Sequence, residues 1–333
     1  MVDYFVAPSA VDEVLALAPN PVYQLDEPVL PLSDLHNPPV SVYVPIQYGC
    51  NMSCSYCVIP QRRGREQSRP LAEIVREVQA IVARGAQEIT LLGQIVDSWG
   101  HDLPGRPSLS DLIQAVHDTP GLVRLRFLTS HPAWMTADLI ETVACLPRCQ
   151  REINLPVQAG HDEILRRMRR GYTVARYREL VRSIRQAMPD VALSTDIIVG
   201  HPGETREHFS QTMALVEELR FDKIHSAAFS ARPGTLAAEQ EQDAGLAVPE
   251  GEKQWRRVTL DATQKEIATE INSQLLGQTV EVLVEERSRG KWRGRTGSNK
   301  LVFFADAGDW RGRLAQVVLT HTSPWSLQGD VEG

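Results

Sequence analysis

Residues 48 to 60 read YGCNMSCSYCVIP and place Cys50, Cys54 and Cys57 within eight positions, three of the five cysteines in a chain of 333 residues. Thiolates are soft ligands for iron–sulfur clusters or for zinc, and a closed site of either kind wants four protein ligands. Three ligands leave one metal position open, which is what a cofactor or substrate needs. A zinc site completed by His36 or His101 is the competing reading, and three packing cysteines is the plainest one. A disulfide framework is disfavoured, because the count is odd and a chain of this length needs no covalent staples. Cys145 and Cys149 end an amphipathic segment and read as packing residues.

The elements that must carry this loop alternate between strand and helix patterns. The run VSVYVPIQ predicts a strand directly before the cysteines, and LAEIVREVQAIVARG spaces Ile74, Val78, Ile81 and Val82 as a helix ending at Gly85. Strand-like QEITLLG, LVRLRFL, REINLPVQ, VALSTDIIVG and KIHSAAFS follow, each separated by a helical pattern. Six such units imply an α/β fold with right-handed parallel connections, as a partial (β/α)6 barrel or an open doubly wound sheet. The barrel is favoured, since the cysteines follow the first strand and barrel chemistry collects at C-terminal strand ends. A short helical pattern and a Pro-rich stretch occupy residues 1–39, and the barrel pattern fills 40–248. A charged helix covers 249–275, and a β-rich tail, 276–327, predicts a small antiparallel barrel.

Composition limits the partners. At 42% hydrophobic and 23% charged the chain is ordinary globular material, its longest apolar runs fall far short of a membrane span, and its N-terminus has no basic signal-peptide start. A cytoplasmic protein is expected. The net charge of -7 gives no global attraction to nucleic acid, so an RNA partner needs a local patch. Between 287 and 300 stand six cations and no acidic residue: Arg287, Arg289, Lys291, Arg293, Arg295 and Lys300. In one extended strand the first five alternate onto a single face, a row able to track phosphates, with Trp292, Phe303 or Phe304 as stacking surfaces. A charged edge strand that resists aggregation has the same composition.

The C-x3-C-x2-C spacing after a first strand, with Tyr56 before the last cysteine, resembles the radical S-adenosylmethionine enzymes. RRGREQSRP, TLLGQ, RFLTSHP, INLPVQAG, MRRGYT, ALSTDIIVGHPGET, ARPGT and GRTGSNKLVFF extend the resemblance to the MiaB-type tRNA methylthiotransferases over nearly the whole chain from residue 40. The resemblance implies a [4Fe–4S] cluster on Cys50, Cys54 and Cys57 whose fourth iron takes S-adenosylmethionine, followed by a TRAM, OB-like RNA-binding barrel. It implies a methylthio group added to C2 of N6-isopentenyladenosine or a related adenosine beside the anticodon. It further implies a tRNA anticodon stem-loop as partner, a flavodoxin or ferredoxin as electron donor, and a monomer.

By position in that pattern Tyr56, Gly93, Gln94, Ser130, Gln158 and Asp196 fall in the cofactor or substrate shell. Gly93 lets the ligand approach the backbone, and Gly200 to Glu204 turn after the fifth strand. Arg62, Arg63 and Arg65 follow the cysteines, to meet RNA or cofactor or to be solvated. No catalytic residue is assigned. The family carries a second [4Fe–4S] cluster, the sulfur source, in an N-terminal domain of which residues 1–39 resemble only the end. An accessory tRNA-binding protein or a radical enzyme without sulfur insertion is the alternative. Ile95 and Asp97 stand where the family usually has asparagines.

Overall fold

The computed structural model describes residues 39–332. The helical pattern and Pro-rich lead-in expected over 1–39, and His36 with them, lie outside the described residues except for Pro39.

Six parallel strands form the larger unit: β1 (Ser41–Pro45), β4 (Glu88–Leu92) and β5 (Arg124–Leu128), then β6 (Glu152–Asn154), β7 (Ala192–Val199) and β8 (Lys223–Ala228). A two-residue hairpin, β2 (Gln47–Tyr48) with β3 (Gln67–Ser68), brackets the cysteine loop. Register runs Val44 beside Leu91 beside Phe127, and the two triplets join where Gln150 N–H donates to Leu125 O (2.9 Å) and Ser130 N–H to Asn154 O (3.1 Å). Among the described residues β8 and β1 do not pair, so the barrel stays open on that side.

Helices return the chain between strands because they carry apolar stripes, and several open on a capping side chain. Helix Leu71–Ala83 buries Ile74, Val78, Ile81 and Val82, and Thr136, Thr173 and Thr205 each accept an N–H from the first turn of the helix they open. The helix Glu250–Ser273 lies over β8, where Gln264 Nε2 donates to the carbonyls of Phe221 and Asp222.

The tail closes into a barrel of β9 (Thr279–Ser288), β10 (Lys291–Thr296), β11 (Leu301–Phe304), β12 (Leu314–Thr322) and β13 (Leu327–Val331), ordered β10-β11-β13-β12-β9. Two features differ from the sequence expectation. The β11–β13 pair is parallel within an otherwise antiparallel barrel, and β13 runs to Val331, past the limit of 327. The loop Thr296–Lys300 seats this barrel on the N-terminal end of the large one. Arg124 Nη1 donates to Arg295 O (2.6 Å), Arg126 Nη2 to Thr296 O (2.9 Å), and Asn299 Nδ2 to Glu152 Oε1 (2.8 Å).

Candidate active site

The cysteine loop hangs from the C-terminal end of β1 and is held by backbone bonds rather than by secondary structure. Cys50 N–H donates to Gly64 O (3.2 Å), Cys57 N–H to Cys54 O (3.1 Å), and Ser55 N–H to Met168 O (3.1 Å). Gly49 makes the turn possible: φ is +67°, and a Cβ there would sit 2.1 Å from Arg65 O. The three thiols line one cavity of about 590 Å³ with Pro60, Arg65 and Arg169. Burial pushes the Cys50 and Cys57 thiols above the ordinary value, so each binds a proton until a metal displaces it.

The zinc alternative asks for close-set sulfurs. Sulfurs sharing one tetrahedral zinc stand about 3.8 Å apart, from Zn–S near 2.3 Å. Among the described residues the His, Cys, Asp and Glu ligand atoms that converge within 4.8 Å as a triad are those of Glu66, His101 and Asp102, and the three cysteines do not form such a group. His101 Nδ1 lies 2.7 Å from Glu66 Oε1 in that group.

Around the barrel mouth several buried polar atoms have no partner. Ser130 Oγ, His131 Nε2, Gln158 Oε1 and Gln47 Oε1 are buried without a hydrogen bond. Ala133 N–H donates to His131 Nδ1 (3.1 Å), which puts the ring proton on the orphaned Nε2, and burial, aided by Arg170, lowers the imidazole to about 3. His131 is therefore a neutral donor. Two side-chain-bearing residues at these strand ends adopt left-handed backbone, Thr129 at φ 71° and Gln158 at φ 71°. A β-branched residue there is a genuine outlier, and such strain concentrates at functional sites.

Of the other expected positions, Asp196 on β7 accepts from Asn154 Nδ2 (3.3 Å), and burial raises its carboxyl above the ordinary value. Gln94 is half-buried directly after β4. Tyr56 packs edge-on to His201 at 6.5 Å, and burial drives its phenol upward. A Cβ on Gly93 would meet Gln47 Oε1 and Val96 Cα at 3.2 Å, so its own chain also approaches it closely. Glu204 is taken up by Arg256 Nη1 at 2.7 Å, and Arg62, Arg63 and Arg65 are exposed. Cys149, pushed up to about 12 by burial, bridges to Leu125 at the opposite end of the barrel, and Cys145 is exposed.

Sequence reasoning missed Arg170. This guanidinium is buried and its Nη1 stands 3.4 Å from Cys54 Sγ. MRRGYT offered a signal, a basic pair before a glycine, but nothing local aims it at a cysteine more than a hundred residues away.

The basic row needs correction. Arg289 and Gly290 turn a hairpin with φ of 51° and 83°, so the chain reverses in the middle of the row. Arg287 pairs across it with Trp292 and lies over that ring at 5.6 Å, on the face opposite Lys291, Arg293 and Arg295. Arg293 and Arg295 pair with Glu285 and Glu286, and Lys300 Nζ is 2.7 Å from Asp222 Oδ1. Trp292 and Phe304 face inward and form barrel core, so neither offers a stacking surface. Arg287, Arg289 and Lys291 at the hairpin tip remain exposed.

The Radical SAM superfamily profile matches residues 44–216, and the TRAM domain profile matches 273–331. The tRNA-2-methylthio-N(6)-dimethylallyladenosine synthases of Roseiflexus sp. (strain RS-1) and Chloroflexus aurantiacus are each 71% identical over 329 residues, 99% of this chain and 69% and 71% of theirs. This chain belongs to the MiaB-type tRNA methylthiotransferase family. The Herpetosiphon aurantiacus synthase is 64% identical across 100% of the chain and 76% of its own length. Among solved structures, the radical S-adenosylmethionine methyltransferase TsrM of Kitasatospora setae (TM-score 0.50, 22% identity, 63% of this chain and 41% of that one) shares the fold. So does coproporphyrinogen III oxidase HemN of Escherichia coli (TM-score 0.50, 16% identity, 70% and 54%).

Methylthiotransferase membership brings a [4Fe–4S] cluster and S-adenosylmethionine, and the residues present fit both. Three thiols line one cavity, and the unpartnered Ser130 Oγ, His131 Nε2 and Gln158 Oε1 are what a polar cosubstrate would satisfy. No helix among the described residues is long and apolar enough to cross a membrane.

Proposed function

We infer that this chain is a radical S-adenosylmethionine tRNA methylthiotransferase that modifies C2 of N6-isopentenyladenosine, or a related adenosine, next to the anticodon. The carrying observation is three cysteines of one loop lining a single cavity, together with orphaned buried polar atoms at the C-terminal ends of the strands. When bound, the cluster supplies the electron that splits S-adenosylmethionine and so starts abstraction of a hydrogen from an unactivated carbon.

This chain's residues do the rest of the work. Cys50, Cys54 and Cys57 hold iron. Ser130 and Gln158, with Tyr56, Gly93, Gln94 and Asp196 around them, orient the cosubstrate, and His131 Nε2–H donates to a bound acceptor without changing its own protonation. The barrel wall keeps water from the reacting carbon. Residues 40–248 house the chemistry, and 276–327, extended to the end of β13, grip tRNA through Arg287, Arg289 and Lys291. Arg293, Arg295 and Lys300 shape that surface from within their ion pairs. The enzyme works in the cytoplasm as a monomer and takes its electron from a flavodoxin or ferredoxin. Cys145 and Cys149 stand away from the site, and a second [4Fe–4S] cluster serves as sulfur source only if an N-terminal domain that carries it is supplied.

The test is anaerobic iron reconstitution followed by incubation with reductant, S-adenosylmethionine and tRNA carrying isopentenyladenosine. Formation of 5′-deoxyadenosine together with a methylthio mass increase on the tRNA supports the reading. Iron-loaded protein that leaves S-adenosylmethionine intact overturns it.

A further inference from the structure

Four arginines of the described residues are buried: Arg124, Arg126, Arg170 and Arg256. A guanidinium stays charged in proteins, and a buried charge is costly unless an anion faces it. Three of the four have one. Arg124 stands 3.3 Å from a carboxylate oxygen of Glu281, Arg126 2.9 Å from Glu88, and Arg256 2.7 Å from Glu204.

Arg170 is the exception, with no carboxylate of the described residues in ion-pair range. Its Nε donates to Tyr172 Oη (3.1 Å), its Nη2 to Pro156 O (3.4 Å), and its Nη1 to Cys54 Sγ (3.4 Å). The turn that presents it is fixed by left-handed backbone at Arg169 (φ 57°) and Gly171 (φ 72°). Tyr172 Oη is itself anchored on Pro156 O and Val157 O, and the adjoining Met168 O holds the cysteine loop through Ser55 N–H. The cation and the thiol are thus positioned by one rigid piece of structure.

We propose that Arg170 is the built-in counter-charge of the cluster, a positioning residue that holds Cys54 and makes reduction easier. The proposal rests on the reading that the cysteines carry iron. A four-iron core of charge 2+ on three thiolates is a monoanion, and one added electron makes it a dianion. A cation in contact with one sulfur favours the dianion more and raises the potential, by the same means as hydrogen bonds and net charge in other iron–sulfur proteins.

The experiment is a redox titration of the iron-loaded, S-adenosylmethionine-free enzyme, followed by electron paramagnetic resonance, for the wild type, Arg170→Gln and Arg170→Lys. The expected result for Arg170→Gln is a reduced-to-oxidised ratio about tenfold lower at a given potential, a midpoint about 59 mV more negative, with Arg170→Lys near wild type. Equal midpoints in all three overturn the proposal. So does an effect confined to S-adenosylmethionine binding, which would assign the guanidinium to the cosubstrate carboxylate instead. If Arg170→Gln does not load iron, Arg170→Lys decides: iron restored supports the charge role, and iron still absent overturns it. Failure of the underlying reading looks different, since the wild type itself would then bind no iron.

Discussion

The two ends of the large barrel treat buried polarity in opposite ways. At the N-terminal end Arg126 bridges Glu88 (2.9 Å) and Glu152 (2.8 Å), Ser41 Oγ donates to Glu88 Oε1 (2.9 Å), and the loop Thr296–Lys300 covers the group with its own carbonyls and amide. Each of these charges is answered. At the C-terminal end Ser130, His131 and Gln158 present atoms with no partner, Arg170 has a thiol in place of a carboxylate, and Asp97 is buried without a cation among the described residues, accepting the His131 N–H at 3.0 Å. A finished network is a wall, and an unfinished one is a place for ligands. The cost of the second kind is borne until something binds.

Breaking the contrast at its centre should have the largest effect. Cys57→Ala removes a cluster ligand and is expected to abolish iron loading and 5′-deoxyadenosine formation while circular dichroism stays that of the wild type. At the closed end, Arg126→Met leaves Glu88 and Glu152 buried without their cation. The expected cost is about 3–5 kcal/mol of stability in denaturant titration, with the iron content of the surviving folded protein unchanged.

Asp97 tests the open end by pH. Burial raises its carboxyl from 3.8 to about 8, so between these values the folded chain holds a proton that the unfolded chain has released. The contribution of Asp97 to stability therefore falls as pH rises from about 4 to 8 and levels off beyond. Asp97→Asn should remove this slope, its advantage over wild type growing across the window to on the order of a few kcal/mol. A constant difference at all pH values would refute it.

Ser130→Ala separates the two ends by sign. Deleting an orphaned hydroxyl should leave the unliganded melting temperature equal or higher, yet weaken S-adenosylmethionine binding by about tenfold, the worth of one hydrogen bond near 1.4 kcal/mol. The smallest effect belongs to the hairpin tip. Lys291→Ala should weaken tRNA binding a few-fold and reduce the slope of affinity against salt by about one. The Lys300→Ala change, at a residue paired with Asp222, should alter stability by about 1 kcal/mol or less and leave that slope alone.

Much of the open end was legible in the chain itself. Apolar periodicity announced the alternating elements, and the cysteine spacing announced the metal, because both are local patterns. Ser130 and Gln158 could be placed by counting from strand ends. Arg170 and His131 could not, since their meaning lies in what they meet: a thiol of the first loop, and the backbone of Ala133, which leaves Nε2 buried without a partner. The basic row misled for a related reason. Alternation along KWRGR looks the same in one strand as beside a two-residue turn, and only the pairing of Arg287 with Trp292 reveals the reversal.

The sequence by itself determined that three thiolates share a loop after a first strand, that six strand–helix units make up the larger unit, and that a β-rich tail with a cluster of cations follows, because hydrophobic period, turn residues and motif spacing act over short distances. The tertiary structure alone decided which charges are answered and which wait. That depends on side chains brought together from elements up to 171 residues apart, such as Arg124 and the carbonyl of Arg295. No local pattern encodes a partner that arrives only when the barrel closes around it.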